Sequence, residues 1–204
     1  MDVAELIKCL GVGDLRGAMV YAPRVFHETL ELQRLLPDGW KYHGTGFYSL
    51  VIGPTDSNMV FKLSWKGSDP WIQYAEHVTQ QPMDSNPLMP KIYNLFVDDG
   101  RAIAVMERLY ESEIVHSVGM SNVVKLCRNQ WFSNQFKTLT AKRKKIADFL
   151  RYQFDMRGNR NYNTNNLADI VIWMAGLPDA KVDCHGSNWM IRTTGQLVLT
   201  DPIG

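Results

Sequence analysis

Nothing in this chain of 204 residues gives it a membrane anchor: no apolar run approaches the roughly 20 residues that a span requires. The N-terminus, Met-Asp-Val-Ala-Glu, lacks the basic region and apolar stretch of a secretory leader, so a soluble protein of the cytoplasm is expected. Charge of one sign is missing too. A net charge of +1 supplies no global attraction to nucleic acid or to an anionic bilayer. The three cysteines, Cys9, Cys127 and Cys184, show neither a paired nor a metal-binding spacing, which suits a reducing compartment. No G-x-x-x-x-G-K-[ST] occurs anywhere, which excludes the P-loop class. Internal repeats and low-complexity segments are lacking as well. With 45% hydrophobic and 21% charged residues the chain has the means for a real core, in one domain or two small lobes.

What is present is organised around the tail, Lys181–Gly204. A loop carrying Asp183, His185 and Asn188 leads into a short apolar strand at Trp189–Ile191. A Thr-Thr-Gly turn and a second strand at Leu197–Leu199 follow, ending in Asp201-Pro202. This hairpin is expected to bring two carboxylates and an amide oxygen towards one point, an arrangement suited to Mg²⁺ and phosphate oxygens.

From the start of the chain, Asp2–Leu10 and Pro23–Leu36 have helical apolar spacing, closed by Gly11-Val12-Gly13 and Pro37-Asp38-Gly39. They read as a packing extension, with a docking surface as the other option. Strands are expected at Tyr48–Ile52 and Met59–Leu63, around a turn at Gly53–Asn58. Before them, Gly44-Thr45-Gly46-Phe47-Tyr48-Ser49-Leu50-Val51 fits G-x-G-x-x-G-x-V with Ser49 in place of the third glycine. A dinucleotide fold would have a strand before this motif and a helix after it; here a strand follows, favouring a hairpin lid over ATP. Lys62, inside an apolar strand, either faces solvent or reaches a phosphate and a carboxylate. A helix over Asp69–Gln80, with Asp69 as its cap and Pro70 in first position, carries Glu76 as the candidate partner for Lys62 or as part of a solvated face. Asp98-Asp99-Gly100-Arg101 predicts a hairpin between strands at Ile92–Val97 and Ala102–Met106. Helices are expected at Ser121–Phe132, Thr140–Asp155 and, strongly apolar, Asn166–Gly176. Lys137, Lys142–Lys145, Arg151, Arg157 and Arg160 form a basic run, read as a solvated face or as a patch for an acidic partner.

Taken in order, Gly44 and Gly46, Lys62, Glu76, Asp183 with Asn188, and Asp201 resemble the protein-kinase-like superfamily. Within it the catalytic stretch is most similar to the early protein kinases of T7-like bacteriophages, over roughly Trp40–Asp201. The resemblance implies an α+β, bilobal protein-kinase-like fold: an antiparallel N-lobe sheet with one helix, and a reduced, mainly helical C-lobe. It divides the chain into a helical extension (1–39), a nucleotide-binding lobe (40–109) and a lobe with the catalytic and metal loops (110–204). It implies ATP and Mg²⁺ as cofactors. Gly44, Thr45, Gly46 and Val51 would cover the nucleotide, and Glu107 and Leu109 would meet the adenine edge from the segment after Met106. Lys62 would hold the α/β-phosphates and pair with Glu76, Asp183 would orient the substrate hydroxyl or take its proton, and Asn188 and Asp201 would hold the metal. The implied substrates are Ser/Thr residues of host bacterial proteins, in the host cytoplasm, with the transcription machinery among the targets. Neither a membrane nor nucleic acid is expected as a partner.

Departures from the pattern keep other readings open. Lys181-Val182 stands where regulated kinases have His-Arg, and Pro202 replaces the Phe of D-F-G. A chain ending at Gly204 is expected to lack an activation segment and the later helices that bind protein substrates. The alternatives are therefore a kinase-like binding module that occupies a host protein, and, from His185 and Asp201-Pro202, a small-molecule kinase.

Overall fold

The computed structural model describes residues 2–25, 32, 34–65, 69–111, 120–129, 138–155, 163–177, 179, 181–184 and 188–203. They form an α+β protein with six helices and eight strands among the described residues. The chain divides into two compact units, 1–83 with 90–108, and 84–89 with 109–204. No described helix is long and apolar enough to cross a membrane.

The first unit is built on a five-stranded antiparallel sheet: β1 (Trp40–Thr45), β2 (Ser49–Pro54), β3 (Met59–Ser64), β4 (Ile92–Asp98) and β5 (Arg101–Glu107). The strand order is β1-β2-β3-β5-β4. Alternation sorts its side chains. Leu50, Ile52, Phe61, Leu63 and Ile103 face one way and share a core with the two N-terminal helices, α1 (Asp2–Gly11) and α2 (Leu15–Val25). Val51, Lys62 and Ala104 lie side by side on the opposite face, in direct cross-strand register. The residues read as an extension thus belong to the same compact unit as the sheet and cover one of its faces. The β4–β5 turn is tight because Asp99 and Gly100 both take positive φ, 48° and 69°, as a two-residue hairpin demands.

Of the expected Pro23–Leu36 helix the described residues Leu32, Arg34 and Leu35 are helical, but Pro23 belongs to an earlier helix, α2. This helix begins at Leu15, and Pro23 lies inside its last turn. Asp14 caps it: Oδ1 accepts the Gly17 N–H at 2.9 Å and the carbonyl accepts that of Ala18. Leu15, Ala18, Met19 and Ala22 then give a buried stripe at helical spacing. Phe26 and Leu30, placed in the expected helix, lie outside the described residues. Helix α3 (Trp71–Thr79) follows β3.

In the second unit, α4 (Met120–Arg128), α5 (Leu139–Asp155) and α6 (Thr164–Ala175) pack together, beside a small antiparallel sheet of β6 (Tyr110–Glu111), β7 (Trp189–Ile191) and β8 (Leu197–Leu199). Helix α6 is its apolar centre, with Leu167, Ala168, Ile170, Val171 and Met174 buried. Asn163 caps its start, accepting the Asn166 N–H, and the Arg128 guanidinium donates to the carbonyls of Met174 and Leu177 at its end. The segment 84–89 is laced into this unit. Asn86 donates to the Asn166 carbonyl at 2.8 Å, Arg192 donates to the carbonyls of Pro87 and Met89, and the Leu199 N–H donates to that of Leu88.

Candidate functional site

The candidate residues fall into two groups, one in each unit. In the first, β1 and β2 form a hairpin whose turn is Gly46-Phe47-Tyr48. The Gly46 N–H donates to the Ser49 carbonyl at 2.7 Å, and the Thr45 hydroxyl donates to the same oxygen at 3.1 Å. Thr45 thus fastens the turn. Neither Gly44 nor Gly46 has a positive φ. A Cβ added at Gly44 would meet nothing within 4 Å, and at Gly46 the nearest atom would be Ser49 Oγ at 3.5 Å. Neither backbone strain nor packing demands glycine there. A bare Cα at these two places suits a phosphate drawn against the main chain. Gly53 differs: its Cβ would press on Met59 and Val60 backbone at 3.1 Å.

Lys62 sits in the middle of β3 and is buried, with Val51 and Ala104 as cross-strand neighbours. Its ammonium lies 4.0 Å from the centroid of the Trp71 ring. A desolvated cation over an indole face gains on the order of 2 kcal/mol, offsetting part of the cost of burial. Glu76, expected beside Lys62, is instead on the exposed side of α3, because the buried stripe of that helix is Trp71, Ile72, Tyr74 and Ala75. Trp71, not Glu76, is the α3 side chain set under the ammonium. Asp69, buried, holds the start of the helix: Oδ1 accepts the Trp71 N–H at 3.0 Å and Oδ2 accepts the Ser64 hydroxyl at 2.6 Å.

At the end of β5, Glu107 is buried and held to Lys91 twice, its N–H donating to the Lys91 carbonyl and its Oε1 accepting the Lys91 N–H at 2.8 Å. Its carboxylate therefore has a structural task. Next to it, Arg108 donates to the carbonyls of Pro54 and Thr55 and to His43 Nε2. His43 occupies the β-bulge in β1 immediately before Gly44. Burial first, then Arg108 and Lys41, hold its pKa below the ordinary histidine value.

In the second unit the expected tail hairpin forms, from β7 and β8. Val182 bridges Ile203, and the Asp183 N–H donates to the Pro202 carbonyl at 2.9 Å, so the segments carrying Asp183 and Asp201 run against each other. The Asn188 amide donates to the Asp183 carbonyl at 2.5 Å, while the Asn188 carbonyl accepts both the N–H and the hydroxyl of Thr200. One polar cluster thus joins Asp183, Asn188 and the residue preceding Asp201. Tethering Nδ2 orients Asn188 and leaves Oδ1 as its remaining acceptor. The buried Cys184 thiol senses both carboxylates: burial, then Asp183, then Asp201, push its pKa up to about 12. Two carboxylates and one amide oxygen are a hard, oxygen-only donor set, which fits Mg²⁺. Among the described residues no group of three His, Cys, Asp or Glu side chains gathers as a metal site. His185 lies outside the described residues.

The basic run resolves unevenly. Arg143 is paired with Asp169 at 2.6 Å and Arg151 with Asp148 at 3.1 Å, while Lys144 and Lys145 are exposed. Lys137, Arg157 and Arg160 lie outside the described residues. Sequence reasoning missed Trp71 and Thr200. The apolar stripe of α3 was the available signal for Trp71; for Thr200 there was none. No protein-family model matches the chain, and no curated protein matches it.

Proposed function

We propose that this protein transfers the terminal phosphoryl group of ATP to a serine or threonine hydroxyl of another protein, on a bilobal framework of the protein-kinase type. The observation that supports this reading is the interlock of Asp183, Asn188 and the Asp201 segment, which ties together the chain stretches bearing two carboxylates and an amide. Mg·ATP, when bound, supplies the phosphoryl group and neutralises the charge on its oxygens. Asn188 and Asp201 are the residues that would hold the metal. Asp183 orients the acceptor hydroxyl and takes its proton, and Lys62 offers a fixed positive charge to phosphate oxygens. Glycines 44 and 46 leave main chain open for close approach of the phosphates. The resemblance to phage kinases supports host bacterial proteins as the substrates.

Incubation with labelled ATP, Mg²⁺ and bacterial lysate tests this. Label is expected in lysate protein or in the chain itself, and is expected to vanish with Asp183→Ala. No label at all, or equal label from that variant, refutes the proposal. The exposed position of Glu76 favours one other reading, a kinase-like module that acts by occupying a host protein. Its biological effect would survive both Asp183→Ala and Lys62→Met, whereas that of an enzyme would not.

A further inference from the structure

Lys62 and Ser64 are two residues apart on β3 and so share one face of the sheet. The Ser64 hydroxyl donates to Asp69 Oδ2, the other oxygen of that carboxylate accepts the Trp71 N–H, and the Asp69 carbonyl accepts the Ile72 N–H at 3.1 Å. All three groups, Ser64, Asp69 and Trp71, are buried. The end of the lysine strand is thereby tied to the first turn of α3, and the Trp71 ring is set 4.0 Å below the ammonium. A ring partner differs chemically from a carboxylate. A carboxylate neutralises a cation, whereas an indole face orients one without cancelling its charge.

We propose that Trp71, fixed by Asp69 and Ser64, is a positioning residue that aims the Lys62 ammonium at the phosphate oxygens of the nucleotide. The choice of phosphate rests on the phosphoryl-transfer reading; the contact itself does not. Trp71 acts through Lys62.

Two measurements test this separately. A lysine ε-methylene held over an indole resonates upfield, so the NMR spectrum of the nucleotide-free protein should show one displaced signal, assigned by its loss in Lys62→Met. It should return to the ordinary position in Trp71→Leu and stay partly displaced in Trp71→Phe. Where Trp71→Leu fails to fold, Ser64→Ala, which loosens the Asp69 tie, should reduce the displacement. In turnover, Trp71→Leu should lower kcat/KM for ATP about tenfold, with most of it restored by Trp71→Phe. An undisplaced signal in the wild type, or one unmoved in both Trp71→Leu and Ser64→Ala, overturns the proposal, as does unchanged kcat/KM in an active Trp71→Leu protein. A wild type without ATP turnover overturns the phosphoryl-transfer reading instead, and the spectrum alone then decides whether Trp71 holds Lys62.

Discussion

The side-chain amide of Asn188 donates to the main-chain carbonyl of Asp183 across 2.5 Å, five residues back along the chain. That bond closes the loop on itself, and Thr200 closes it from the other side by donating twice to the Asn188 carbonyl. A side chain proposed to hold a metal gains from such tethering, because a ligand that need not be ordered on binding costs less entropy.

Asn188→Ala removes both the tether and the proposed metal oxygen. Loss of the hydrogen bond alone should cost about 1 kcal/mol of stability. Loss of a charge-stabilising ligand should lower kcat by on the order of 100-fold or more. Thermal melting beside initial rates separates the two: a variant that melts close to wild type yet turns over normally would remove Asn188 from the site.

Much of this was legible because it is local. The Asp99-Gly100 turn fixes the β4–β5 register, and the tail hairpin closes within a few residues of the loop it serves, so local spacing was enough to expect the segments carrying Asp183 and Asp201 to run together. Strand β1 escaped notice because Trp40–Thr45 is an edge strand with no fully buried position and a bulge at His43, which erases the alternation that marks a strand. The surroundings of Lys62 were misjudged for a different reason. Which α3 side chain meets the ammonium depends on the rotational phase of the helix, and the sheet sets that phase by burying Trp71, Ile72, Tyr74 and Ala75. Glu76 falls outside that stripe.

Gly44→Ala and Gly46→Ala should separate binding from folding. An added methyl meets no protein atom closer than 3.5 Å at either position, and neither backbone is left-handed. Urea midpoints are therefore expected to stay within about 0.5 kcal/mol of wild type or to rise slightly. Nucleotide affinity, read by calorimetry, should fall because the methyl occupies the approach path of the phosphates. Wild-type affinity in both variants would show that the hairpin is not a phosphate lid.

Mild acid should loosen the first unit through His43 and His77, whose folded-state pKa values lie below the ordinary one, chiefly through burial. A histidine depressed on folding favours the neutral form in the native state. Its stabilising contribution is present above the unfolded value of about 6.5 and is lost as pH falls below it towards the folded value, since the unfolded chain then binds more protons. Unfolding free energy should accordingly be lower at about pH 5.5 than at about pH 7.5. His43→Gln, which keeps an acceptor for Arg108, should flatten the slope, and an equal slope in that variant would assign it elsewhere.

The three thiols offer a check on the tail that needs no nucleotide. Cys9 is partly exposed, whereas Cys127 and Cys184 are buried, with pKa values pushed up to about 11 and about 12. Thiolate is the reactive form, so at neutral pH both buried residues are doubly protected, by lack of access and by lack of ionisation. Cys184 carries an additional safeguard: its Sγ–H lies 3.6 Å from the Pro202 carbonyl, and the neighbouring charges of Asp183 and Asp201 oppose loss of the proton. A native-state titration with a thiol reagent should therefore label one cysteine quickly, and peptide mapping should place it at Cys9. Asp201→Asn removes one opposing charge but leaves the burial, which is the larger cause, so Cys184 should ionise more readily yet remain slower than Cys9. Rapid labelling of Cys184 in the unaltered protein would mean that it is not buried against the Asp201 segment.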